Sequence, residues 1–66
     1  MANLIEGIQE EQTRCRELLV FFKSIPTGFF GTAVIELALK NADKAIASGD
    51  VVEMLRAYGE LKKIEG

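Results

Sequence analysis

The sequence predicts an all-α fold, a small up-down-up unit of three helices in which a helical hairpin is followed by a third helix. Three observations predict it. Pro26 and a handful of glycines, chiefly Gly28 and Gly49, punctuate the chain into three segments. Each segment repeats its apolar residues at helical spacing. No segment alternates apolar and polar residues over any length, as a half-buried strand would. The short links favour antiparallel neighbours, with the second helix expected in the middle. The whole chain, residues 1–66, reads as a single helical domain.

The first segment runs from about Asn3 to Ser24. At about 100° per residue, Leu4, Ile8, Cys15, Leu18, Leu19 and Phe22 share one stripe, with Ile25 at its edge. Glu6, Glu10, Thr13, Arg16 and Glu17 occupy the opposite face. Glu10 precedes Arg14 by four residues, a spacing that predicts an ion pair. Gly7 weakens the first turns. Three residues depart from the pattern: Glu11 lies within the apolar stripe, Val20 points away from it, and Phe21 sits on its flank.

Pro26 removes a backbone donor and disfavours helix at Ile25, so the chain turns there. Thr27 is the expected cap of the second helix, with Thr32 as an alternative later cap. That helix runs from Thr27 or Gly28 to Ser48. It has a wide apolar arc that includes Phe30, Val34, Ile35, Leu37, Ala38, Leu39, Ala42, Ala45 and Ile46. Such an arc suits contact with two neighbours. Glu36 and Lys40 have the spacing of a second ion pair.

Gly49 suits a left-handed helix end, and Asp50 with Glu53 resembles a capping box opening the third helix, Val51 to about Ile64. Val51, Met54, Leu55, Tyr58 and Leu61 form its expected core stripe. Glu53, Arg56, Glu60 and Lys63 face outward. Lys62 and Lys63 complement the dipole of the last turns.

Composition excludes several functions. There is no histidine and one cysteine, which removes the commonest general base, a structural zinc and an internal disulfide. No cofactor or metal is expected, and the chain reads as non-enzymatic. Cys15 lies in the apolar stripe and reads as an inert core thiol. An enzyme would need Glu11, Arg14 and Tyr58 brought together across chains. Gly28-Phe29-Phe30-Gly31 lacks the Lys-Ser/Thr of a phosphate loop. The net charge is −2, with both signs interspersed, which argues against nucleic acid or an anionic membrane as partner. No apolar run approaches the ~20 residues of a spanning helix. The first residues lack the pattern of a signal peptide, and a lone thiol fits a cytoplasmic location.

A DNA-binding helix-turn-helix is the alternative function. Ala45, Gly49 and Leu55 have the spacing of its small residue, turn glycine and core residue. Against it, Lys44, Ser48 and Asp50 occupy positions normally apolar, and the candidate recognition helix, the third of the chain, would present Glu53, Arg56 and Glu60.

The strongest functional signal is aromatic. All four phenylalanines, Phe21, Phe22, Phe29 and Phe30, fall within ten consecutive positions flanking the turn. One short helix cannot turn two adjacent phenylalanines towards one neighbour. Phe22 and Phe30 are expected to close the hairpin's core. Val20, Phe21 and Phe29 are surplus, and surplus apolar residues near one corner mark an interaction surface. A chain this short seldom gains more than about 3–5 kcal/mol from its own core. The expected function is therefore a self-associating protein–protein interaction module. A homodimer is its simplest form, and a further protein is its target.

The segments Glu10-Glu11-Gln12-Thr13-Arg14-Cys15-Arg16-Glu17-Leu18-Leu19, Ile25-Pro26-Thr27-Gly28-Phe29-Phe30-Gly31 and Ser48-Gly49-Asp50-Val51-Val52-Glu53-Met54-Leu55-Arg56-Ala57-Tyr58 together make the chain resemble small uncharacterised proteins of enteric bacteria and their prophages. The resemblance spans nearly the whole chain and rests on helix and turn grammar. It implies a cytoplasmic, phage-derived accessory protein and carries over no activity, ligand or site residue.

Overall fold

A computed structural model describes residues 3–65 as three helices, α1 (Leu4–Lys23), α2 (Phe29–Ser48) and α3 (Val51–Lys62). The boundaries follow from local chemistry. The Asn3 side chain accepts from the Glu6 amide at 2.8 Å, capping α1. At the other end the Phe21 carbonyl accepts from both the amide and the hydroxyl of Ser24, so the helix closes there. Pro26 follows, and the Gly28 amide returns to the Ile25 carbonyl at 3.0 Å. Gly28 is buried, and a Cβ placed on it would collide with the Phe22 carbonyl oxygen. The turn is therefore tight enough to demand glycine. This corrects the expected caps: Gly28 itself is the N-cap of α2, and neither Thr27 nor Thr32 supplies a side-chain cap.

The α2–α3 link matches its sequence signal more closely. Gly49 is left-handed, with φ 71°. Asp50 accepts from the Val52 and Glu53 amides at 2.9 and 3.3 Å. Only half of the capping box forms, because Glu53 turns to Arg56 at 3.1 Å and the Asp50 amide donates to Ser48 Oγ.

Each helix packs against both others, so α2 is not the middle of a layer as the short links suggested. The core is Ile8 and Cys15 of α1, Ile35, Leu39, Ala42 and Ala45 of α2, and Met54, Ala57 and Leu61 of α3. The small residues of α2 let its backbone approach its neighbours. Gln12 is buried among them. Its amide nitrogen donates to Asp43 at 2.8 Å and to the Leu39 carbonyl at 3.5 Å, which ties α1 to α2 in one register.

α3 runs parallel to α1. Gly7 faces the Tyr58 ring, and Cys15 and Arg14 reach Leu61. Arg14 marks where α3 stops. Its guanidinium donates to the Leu61 and Ile64 carbonyls, each at 2.8 Å, and pairs with Glu11 at 3.0 Å. A cation on free terminal carbonyls is favourable through both hydrogen bonding and the helix dipole. The Glu10–Arg14 pair expected from spacing therefore gives way. Among the described residues the ion pairs are Glu11–Arg14, Glu53–Arg56 and Glu60–Lys63, and the expected Glu36–Lys40 pair is not among them.

The helices differ in length, and the difference shapes the molecule. α1 and α2 have 20 residues each and α3 has 12. With α3 ending beside Arg14, the remainder of α1 continues for about 12 Å without a third helix alongside. No helix among the described residues is long and apolar enough to cross a membrane.

Candidate interaction surface

The hairpin end of the molecule is apolar and uncovered. Phe29 and Phe30 are 81% and 80% exposed, Val20 72% and Phe21 54%. The Phe30 value corrects the expectation that it closes the core with Phe22. Phe22 alone packs inward, its ring lying where a Cβ on Gly31 would be in ordinary contact with it, and it meets Phe21 edge-to-face with ring centroids 5.7 Å apart. Phe30 leads a stripe that continues through Val34 and Leu37, 49% and 60% exposed. Both were expected within the wide buried arc of α2. That arc exists, but α3 covers only part of it.

Val20, Phe21 and Phe29, the residues singled out by sequence, are all exposed. Helical geometry separates them. On the ~100° rule Val20 points away from the buried stripe of α1 by about a third of a turn, and Phe29 lies about a quarter-turn or more from the Phe30–Val34–Leu37 stripe. The residues that converge on one concave feature are others. Phe22, Gly31, Val34, Leu37, Ala38 and Ile64 line a groove of about 580 Å³ between α2 and the end of α3. Its α3 rim carries Arg56, Glu60, Lys63 and Glu65. Towards Ser48 it meets a second, more polar hollow of about 460 Å³ walled by Lys44, Glu53 and Arg56.

Charge is distributed as unevenly as cover. From Leu18 to Ile35 the single charged residue is Lys23, in a chain that is 27% charged. A smaller set of exposed apolar residues, Val51, Val52 and Leu55, lies on the first turns of α3. Val51 and Leu55 were expected in the core stripe of that helix. Ala57 takes the buried place between Met54 and Leu61 instead.

The remaining chemical candidates have structural occupations. Cys15 is fully buried, and its thiol donates to the Leu61 carbonyl at 3.7 Å. Burial pushes its pKa up, opposed by the Arg14 charge and reinforced by Glu11. Glu11, half-buried in the stripe, is paired with Arg14. Arg14 in turn holds the end of α3, while the Tyr58 hydroxyl lies 3.5 Å from Lys62 Nζ. Among the described residues no group of three histidine, cysteine or acidic side chains is arranged to hold a metal. Leu55, which takes the core position of the helix-turn-helix spacing, is 55% exposed. Gly59 needs no backbone contact to explain it, since a Cβ there would meet nothing within 4 Å.

A signal for the exposed stripe was available in the sequence. The segment from Val51 to Ile64 is too short to run the length of either hairpin helix, so part of the α2 arc had to remain bare. No protein-family model matches the chain, and comparison with curated proteins and with solved structures gives no match.

Proposed function

We propose that this chain is a non-enzymatic protein–protein interaction module that self-associates, most simply as a homodimer, through the apolar end of its α1–α2 hairpin. The observation that carries the reading is the exposure of Phe21, Phe29 and Phe30 with Val20 on a stretch whose single charge is Lys23. Apolar patches on monomers rarely exceed about 300–600 Å². Phe30, Val34 and Leu37 share one exposed stripe of α2, and Val20, Phe21 and Phe29 are exposed around the same turn. Oligomerisation is also one of the routes by which a short chain supplements a small core. The assembled module serves by holding a further protein. A cytoplasmic setting, in which Cys15 stays reduced, and the accessory role implied by prophage resemblance belong to the same reading.

Sedimentation equilibrium tests it. The wild-type chain should show a monomer–dimer equilibrium at micromolar concentration, and Phe21→Ser and Phe29→Ser should shift it towards monomer with helix content unchanged. A wild-type chain that sediments as a monomer throughout the tens of micromolar would remove the proposal.

A further inference from the structure

We draw no further inference here: the strongest candidate, the apolar groove between α2 and the end of α3 lined by Phe22, Val34, Leu37 and Ile64, is an unpartnered face whose rim carries both signs of charge, and nothing in the structure shows what covers it.

Discussion

The two ends of this small molecule are built from similar residue types and fare differently. At the end shared by three helices, Ile8, Cys15, Leu39, Ala42, Met54 and Leu61 are buried, and the buried polar side chain Gln12 is hydrogen-bonded. At the hairpin end, Phe29, Phe30, Val34 and Leu37 lie in the open. The hydrophobicity of the sequence does not separate them. Position does: α3 stops short of Phe29 and Phe30, and Val34 and Leu37 lie on a flank of α2 turned away from the side that buries Ile35 and Leu39. An amphipathic face is buried only where another element stands opposite it. In this chain the third element ends beside Arg14. The covered end supplies folding stability, and the uncovered end is available for association.

Substitutions at the two ends should accordingly divide between stability and assembly. The largest effect is expected from Leu61→Ala or Ile8→Ala, both fully buried. Each should cost about 2–5 kcal/mol, enough to unfold much of a domain whose total stability is of the same order. Urea denaturation followed by circular dichroism would measure it. Gly28→Ala ranks near these, because its Cβ has no room against the Phe22 carbonyl, and it should loosen the turn that presents the phenylalanines. Arg14→Ala removes two hydrogen bonds to the end of α3. With the side chain 38% exposed, a loss of about 1–2 kcal/mol is expected. Hydrogen exchange should show it as fraying of residues after Leu61.

Asp50→Ala should cost about 1 kcal/mol by uncapping α3. Gly59→Ala should stabilise by a similar amount, since helix propensity improves and nothing is displaced. Opposite signs at two positions on one helix would confirm that α3 is held by local terms as well as by packing. The smallest effect on folding is expected at the open end. Phe29→Ser should change monomer stability by less than about 0.5 kcal/mol, while assembly weakens. A large loss of stability there would erase the contrast between the ends. Cys15 provides an independent check on the covered end. Burial raises its pKa and keeps the thiol protonated, so alkylation at neutral pH should be slow in the folded protein and fast in urea.

The sequence made much of this legible where the causes were local. Gly49 and Asp50 placed the start of α3, and Pro26 placed the turn, because caps and breakers act within a few residues. The buried stripe of α1 was legible as well, apart from Gln12, whose burial depends on Asp43 and the Leu39 carbonyl far along the chain. The errors share one origin. Phe30, Val34, Leu37, Val51 and Leu55 were expected in the core because helical periodicity reports which face is apolar. It does not report which part of that face a neighbouring helix will cover. The ion pairs were misread for a related reason: Arg14 found better acceptors on another helix than Glu10 on its own. At the candidate surface, sequence identified exposed residues correctly in Val20, Phe21 and Phe29. It missed the groove, which exists only once α2 and α3 are side by side.

The most direct measurement is a dilution series of amide NMR spectra from millimolar to low micromolar concentration. If the uncovered end is the face through which the chain assembles, concentration-dependent shifts will gather in residues 18–37 and around the end of α3. The amides of Ile8, Ala42 and Met54 will stay fixed. Spectra that do not change with concentration, or changes centred on Val51 and Leu55, would contradict it.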